Sequence, residues 1–461
     1  MDVYFDPELM RRYDREGPRY TSYPTALQFH EGLSVEDYEK AARGSRGALR
    51  HEPLSLYVHI PFCFSPCFYC GCNKVITRQL DRADPYIRHL DTEIALRSRF
   101  FDTSRKIEQL HLGGGTPTFL PQQRLEALID SLGRRFKLID TPERDYSIEI
   151  DPRTVTPAAI KMLTGLGFNR ISLGVQDFDP QVQAAVNRLQ PVDLVQGILD
   201  AARAQGLRSI NFDLIYGLPK QTLATFEATL NQVIKMRPDR LAVYGYAHMP
   251  RVFKAQRQIH EPDLPDARLR LALLQMAVTK LCAAGYEYIG MDHFALPGDS
   301  LAQAQRNGTL HRTFQGYTTH ASRDLVSIGV SAIGQVGNLY VQNHKNLPEY
   351  GAALDRGVLP QHRGVATSED DAVRRDVIQQ IMCHGKLDIT SIERAHKIQF
   401  DDYFAAEKPR VQSLAEDGLI DLGTRSIALT PRGRLLMRNV AMAFDAYLAK
   451  KASQAPQSRA I

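Results

Sequence analysis

Four of the six cysteines fall within ten residues, spaced Cys63-x3-Cys67-x2-Cys70-x-Cys72. They lie in the stretch Tyr57-Val58-His59-Ile60-Pro61-Phe62-Cys63-Phe64-Ser65-Pro66-Cys67-Phe68-Tyr69-Cys70-Gly71-Cys72-Asn73. Thiolates this close repel one another unless a metal or a disulfide takes up their charge. Sulfurs at x3 and x2 spacing can converge on one iron–sulfur cube. The first three would bind three irons and leave the fourth open to a small molecule. A structural zinc site would use four thiolates, commonly as two separated pairs. No second pair exists here, because Cys282 and Cys383 are single and distant. A disulfide framework suits small secreted domains, and this chain has 461 residues.

Cys63-x3-Cys67-x2-Cys70, with Tyr69 just before the third cysteine, resembles the radical S-adenosylmethionine signature. The resemblance implies a [4Fe-4S] cluster on Cys63, Cys67 and Cys70, with S-adenosylmethionine chelated to the open iron. One electron then cleaves it to methionine and a 5′-deoxyadenosyl radical. The added Cys72, in Cys70-Gly71-Cys72-Asn73, narrows the resemblance to the oxygen-independent coproporphyrinogen III oxidases. The match runs from Arg19-Tyr20-Thr21-Ser22-Tyr23 through Tyr288-Ile289-Gly290-Met291-Asp292-His293-Phe294 to the C-terminal region. Phe64-Ser65-Pro66 is more apolar than the family often has, with the ligand spacing intact.

The elements that must position these residues alternate between strand and helix. Strands are expected at 54–60, 107–112, 145–151, 170–176, 209–217 and 240–247, each short and rich in Ile, Val, Leu or Tyr. Asp84-Pro85 reads as cap and first-turn proline of a helix with Ile87, Leu90 and Ile94 on one face. Thr156-Pro157 starts another, ended by Gly165 or Gly167. Thr222 is expected to cap a third, with Phe226, Leu230, Val233 and Ile234 inward. Repeated strand–helix units imply a parallel sheet of about six strands, open or curled into a barrel.

Side chains alternate faces along a strand. Leu56, Val58 and Ile60 oppose Tyr57 and His59. Ile148 and Ile150 oppose Ser147, Glu149 and Asp151. Ile171, Leu173 and Val175 oppose Ser172, Gly174 and Gln176, and Ile210, Phe212 and Leu214 oppose Asn211 and Asp213. One face is apolar, as helices require, and the other is polar. A closed eight-stranded barrel fills its interior with branched aliphatics. A polar interior therefore implies a wider lumen for a polar ligand, in agreement with the partial (β/α)6 barrel that the resemblance implies.

Gly113-Gly114-Gly115-Thr116-Pro117-Thr118 follows the second strand, where glycines let a backbone approach a ligand and present N–H and C=O groups. A tight strand–helix connection explains the run equally well. No P-loop lysine follows, which disfavours a nucleotide phosphate. By resemblance, Gly114, Gly115 and Thr116 meet the methionine part of S-adenosylmethionine, Tyr57 contacts the first molecule and Tyr69 a second. Glu149 would accept from ribose hydroxyls, as an ionised carboxylate does well. Gln176, Arg188 and Asp213 match positions for the second molecule, and Arg188 offers a carboxylate its planar fork. Ala247 and Ile333 complete the set by backbone or apolar contact with adenine. Tyr57, His59 and Cys72 are the candidate catalytic residues, although a buried, hydrogen-bonded His59 is an equal reading.

Residues 1–52 form an N-terminal extension around Gly17-Pro18-Arg19-Tyr20-Thr21-Ser22-Tyr23-Pro24-Thr25, expected to be extended, irregular and packed on the main domain. Within it, Arg19 is a candidate partner for a substrate carboxylate. The barrel and its flanking strands are assigned to 53–350, and a helix-rich, winged-helix-like domain to 360–445. Val411–Asp421, followed by Ile427-Ala428-Leu429-Thr430-Pro431-Arg432-Gly433, reads as helix, short hairpin, helix. Arg432, Arg434 and Arg438 are its basic cluster beside Glu416 and Asp417, thin for reading a DNA groove. A compact structural module covering the barrel mouth is the better reading, with a disordered tail over 446–461.

Net charge of +5 in a chain this long does not announce nucleic-acid binding. The start lacks a basic region and an apolar run, so neither a leader nor a membrane span is expected, and the cytoplasm is. The resemblance implies oxidative decarboxylation of coproporphyrinogen III to protoporphyrinogen IX in porphyrin and haem biosynthesis. Its partners would be a flavodoxin- or ferredoxin-type reductant and an unnamed terminal electron acceptor. A monomer is expected. A haem-binding chaperone and a cluster-bearing DNA regulator are the competing classes. Cys72 and the Arg19-to-Pro24 segment argue against the first, and the weakly basic winged module against the second.

Overall fold

A computed structural model describes residues 3–48, 52–320 and 324–450. Its centre is six parallel strands: β1 (Leu54–Ile60), β2 (Lys106–Gly114), β3 (Asp145–Ile150), β4 (Arg170–Gln176), β5 (Ser209–Tyr216) and β6 (Arg240–Gly245). Each pairs with the next in chain order. Helices α1 (Asp84–Ser98), α2 (Gln122–Arg135), α3 (Pro157–Gly165), α4 (Val192–Ala204) and α5 (Leu223–Met236) return the chain between them. Among the described residues the two ends of the sheet do not pair with each other, as a partial (β/α)6 barrel requires.

The sheet extends on both sides. Beyond β6 lie the antiparallel pair β7 (Glu287–Gly290) and β8 (His293–Ala295). Beyond β1, β9 (Leu325–Ile328) is a seventh parallel strand. Antiparallel β10 (Ile333–Val336), β11 (Leu339–Asn343) and β12 (Gln361–Ala366) follow.

Alternation sorts the chemistry as expected. Leu56, Val58, Ile60, Leu112, Ile148, Ile150, Leu173, Val175, Phe212, Leu214 and Val243 are 3% exposed or less. They pack in one core with Leu90, Ile94, Leu125, Leu128, Ile160, Val195, Phe226 and Leu230 of the helices. Each such burial is worth about 1.5–3 kcal/mol, which fixes the apolar face against the helices. Register then aligns the other face: Tyr57 is opposite His111, His111 opposite Ser147, Glu149 opposite Ser172, and Ser172 opposite Asn211.

The helix starts differ in detail. Asp84 is the first residue of α1, not its cap; Ala83 holds that position, and the Asp84 carboxylate pairs with Arg124 of α2 at 2.5 Å. Thr156 sits at the cap of α3 without a side-chain bond. Thr222 caps α5 fully, exchanging bonds with Thr225 in both directions.

The C-terminal region contains α6 (Glu369–His384), β13 (Lys386–Asp388), α7 (Lys408–Glu416), β14 (Ile420–Leu422) and β15 (Ser426–Leu429), the strands in order β13-β15-β14. Of its arginines, Arg434 and Arg438 are 4% and 3% exposed. Arg434 donates to the Tyr288 carbonyl at 3.0 Å, and Arg438 to the carbonyls of Pro18 (2.7 Å) and Gly17. Tyr20 donates to Asp445 at 2.9 Å, and Asn439 to the Tyr13 carbonyl at 2.9 Å. The N-terminal extension thus packs on the C-terminal helices, and not only on the main domain as expected. Ala446–Lys450 is helical, and the remainder of the expected tail, 451–461, lies outside the described residues. No helix among the described residues is long and apolar enough to cross a membrane.

Candidate active site

The cysteine loop leaves the end of β1. Its two ends are drawn together by parallel pairing of Phe62–Cys63 with Val75–Ile76. The Phe62 and Phe64 rings pack on Phe119 with centroids 5.3 and 4.5 Å away, so the apolar Phe64 anchors the loop. Every sulfur of the first three cysteines meets a donor. Thr116 Oγ1 lies 3.4 Å from Cys63. Cys67 accepts from Arg188 Nη1 (3.3 Å) and Arg153 Nη2 (3.4 Å). Cys70 accepts the Cys72 amide at 3.4 Å. The Cys72 thiol, Lys74 and that amide together favour Cys70 as a thiolate, with its pKa brought down to about 5 despite burial. Donors on all three sulfurs suit thiolates bound to irons.

The lumen beneath is a cavity of about 450 Å³ whose wall includes Tyr57, His59, Cys72, Gly114, Glu149 and Ile333. His59 Nε2 lies 3.1 Å from the Asn73 carbonyl and Nδ1 lies 3.1 Å from the Tyr57 hydroxyl. A carbonyl only accepts, so Nε2 carries the proton and Nδ1 accepts from Tyr57. Burial lowers the His59 pKa and keeps this neutral form. The Tyr57 ring stacks on His111 at 5.8 Å. His111 contacts Ser147 Oγ (2.7 Å) and Glu149 Oε1 (3.3 Å).

Burial opposes ionisation of Glu149. Hydrogen bonding and charge from His111, the Gly114 amide and His59 outweigh it, so its pKa lies below the usual value. Its side chain is 43% exposed to the lumen, which leaves an ionised carboxylate open to a ligand.

The glycine run is shaped by the protein itself. A Cβ at Gly114, where φ is +114°, would come 2.5 Å from the His59 ring, and one at Gly115 2.7 Å from the Pro61 backbone. The Gly114, Gly115 and Thr116 amides donate to Glu149, Ile60 O and Phe62 O. Free N–H groups were expected here, and these three are already satisfied. What the run can still offer a ligand is carbonyl oxygen and space.

The remaining candidates divide. Tyr69 and Ala247 are brought together, since Gln256 Nε2 donates to both carbonyls at 3.0 and 3.1 Å. Ala247 lines a second cavity of about 790 Å³ at the barrel mouth. Gln176, Arg188 and Asp213 line neither cavity. Arg188 is held by Cys67, Asp151 (3.1 Å) and Gly174 O (2.7 Å), with Nε lacking a hydrogen-bond partner. Asp213 accepts from Ser172 (3.0 Å) and Asn211 (2.9 Å); burial, then Glu149's charge, pushes its pKa up to about 6. Arg19 lines both cavities and forms an ion pair with Asp292.

Residues 57–233 match the Radical SAM superfamily and residues 367–436 the HemN C-terminal domain. An oxygen-independent coproporphyrinogen III oxidase of Pseudomonas aeruginosa is 52% identical over 446 residues, 97% of this chain and 96% of that one. The chain belongs to the oxygen-independent coproporphyrinogen III oxidases. The Escherichia coli oxidase is 46% identical over 459 residues, covering 100% of this chain and 99% of that one. The solved E. coli coproporphyrinogen III oxidase, described as a radical SAM enzyme, superposes with a TM-score of 0.92 at 44% identity, over 97% and 100% of the two chains. The chain is accordingly a radical SAM oxidoreductase of porphyrin biosynthesis, with a [4Fe-4S] cluster and S-adenosylmethionine as its cofactors.

Several residues in and beside the lumen of this oxidase escape motif reading. His111 shares the polar parity of Gln109 on β2, a signal the alternation rule supplies. Arg153 follows the Asp151-Pro152 turn and reaches Cys67 only in three dimensions. His293, Arg312 and Gln315 come from the short segments after the sixth strand, where no periodicity marks a face.

Proposed function

We propose that this chain removes two carboxyl groups from coproporphyrinogen III without oxygen, turning two propionates into the vinyls of protoporphyrinogen IX, with two S-adenosylmethionine molecules bound near the lumen. The observation that carries the reading is the meeting of the Cys63–Cys70 loop with the polar lumen at the ends of β1, β2 and β3. The cluster and S-adenosylmethionine, when bound, supply the one-electron chemistry that takes hydrogen from an unactivated propionate carbon, beyond any side-chain base.

The protein's own residues do the rest. Cys63, Cys67 and Cys70 hold three irons, and Arg153 and Arg188 donate to Cys67. Glu149 accepts from ribose hydroxyls of the first molecule, with Tyr57 beside it. Gly114, Gly115 and Thr116 leave room for its methionine part. Tyr69, Gln176, Arg188 and Asp213 serve the second molecule, where the Arg188 Nε is a donor in need of an acceptor, and Ala247 and Ile333 meet adenine by backbone or apolar contact. The Tyr57–His59–Asn73 chain holds the loop over the lumen. The N-terminal extension and the C-terminal domain cover the mouth and keep water out.

In this reading the enzyme works in the cytoplasm as a monomer. A flavodoxin- or ferredoxin-type protein supplies the electron, and an acceptor of unassigned identity takes it from the product. Anaerobic release of labelled carbon dioxide from carboxyl-labelled coproporphyrinogen III tests it. Release must require S-adenosylmethionine and a reductant, and must vanish in Cys63→Ala; release without either refutes the reading.

A further inference from the structure

Arg312 is 4% exposed. Its Nε donates to the Arg19 carbonyl at 3.2 Å, and its guanidinium lies 4.7 Å from the Tyr317 ring centroid. Its Nη1 has no hydrogen-bond acceptor, and among the described residues it forms no ion pair. Glu149, the carboxylate on the lumen cavity's wall, is bonded by His111 and the Gly114 amide, and Asp292, which lines the other cavity, is paired with Arg19. A buried cation without an anion is costly, and proteins retain one where a ligand completes it.

The residue is held deliberately. Arg312 sits on the three-residue strand His311–Thr313. Gln379 of α6 clamps its backbone, accepting from the amide at 3.1 Å and donating to the carbonyl at 2.8 Å. The N-terminal extension, the barrel flank and the C-terminal domain therefore converge on one residue. Arg312 faces the lumen cavity that also touches Tyr57, Cys72 and Glu149. Two further polar atoms on that wall, Gln315 Nε2 and His293 Nδ1, are buried and unpartnered. A guanidinium N–H and an amide N–H on one cavity wall suit one anionic, acceptor-rich group, which a carboxylate supplies.

We propose that Arg312, rather than Arg19, binds a propionate carboxylate of the tetrapyrrole and so selects which side chain enters the lumen. The inference rests on the oxidase reading above. The carboxylate of S-adenosylmethionine is the other source of the same chemistry, and the test separates the two.

The experiment measures anaerobic binding of coproporphyrinogen III and of its tetraamide to cluster-reconstituted wild type, Arg312→Gln and Arg312→Lys. It also measures the S-adenosylmethionine dissociation constant and iron content of each. Wild type is expected to prefer the acid, and Arg312→Gln to lose at least about tenfold of that preference. Arg312→Lys keeps the charge but not the fork, so it folds as wild type and loses part of the preference. Iron content and S-adenosylmethionine affinity stay unchanged in both. Full preference for the acid in either variant, or a loss confined to S-adenosylmethionine affinity, overturns the proposal. Wild type that binds neither tetrapyrrole overturns the oxidase reading itself.

Discussion

His59 Nε2 donates to the carbonyl oxygen of Asn73 at 3.1 Å, so the first barrel strand is bonded to the residue that follows the cysteine run. The other ring nitrogen accepts from Tyr57, and the pair makes one rigid link from strand to loop.

Replacing His59 by Phe removes two part-buried hydrogen bonds, to the Tyr57 hydroxyl and the Asn73 carbonyl, each worth about 0.5–1.5 kcal/mol. His59→Phe is expected to melt earlier and to lose iron faster on anaerobic desalting. Thermal unfolding and iron per chain check this together. If neither moves, the link carries no load.

Glu93 on α1 is fully buried and accepts four bonds: from Arg97 (2.6 Å), Asn343 (2.8 Å), the Gly329 amide (2.8 Å) and Tyr350 (2.7 Å). It thereby joins helix, β11 and the turn that leads to Ile333. Glu93→Ala strands the Arg97 charge, which is 1% exposed, and should cost about 3–5 kcal/mol. Denaturant unfolding measures the loss, and a cost below about 1 kcal/mol contradicts the account.

Asp213, whose pKa is pushed up to about 6 by burial and then by Glu149, binds its proton more tightly folded than unfolded. An unfolded aspartate titrates near 3.9, so the folded state loses stability as pH rises from about 4 to about 6. Asp213→Asn removes this loss. The melting temperature of Asp213→Asn relative to wild type should therefore climb across that window and level off above it. A difference independent of pH would show that Asp213 is ionised throughout.

Arg153 and Arg188 both donate to Cys67, and Asp151 pins the two guanidiniums. Hydrogen bonds to cluster sulfurs and nearby positive charge favour the reduced, more negative state. Arg153→Gln should lower the cluster's midpoint potential by tens of millivolts, as followed by electron paramagnetic resonance during a redox titration. An unmoved or raised midpoint would exclude this role.

The barrel was legible because β1 to β6 are runs in which one parity is aliphatic, and burying that parity admits no other register. The polar face came with it, which is why Tyr57 and Glu149 could be placed in the lumen. The glycine run was legible as a close approach, but not as an approach to His59 and Pro61, because those neighbours meet it only after the loop folds back. β7 and β8 are four and three residues long, too short for alternation to show, so His293 gave no sign. Arg312 looks like any surface arginine until three distant segments close around it. The N-terminal extension packs on the C-terminal helices through Tyr20, Asp445 and Arg438, contacts between residues some 420 positions apart, beyond any local pattern.

The most direct measurement is one anaerobic reaction of the cluster-reconstituted protein with dithionite, S-adenosylmethionine and coproporphyrinogen III, resolved by chromatography. The account predicts 5′-deoxyadenosine and, after oxidation, protoporphyrin in the same mixture, with both lost in Cys70→Ala. Deoxyadenosine without protoporphyrin, from protein with its full complement of iron, would contradict the substrate assignment.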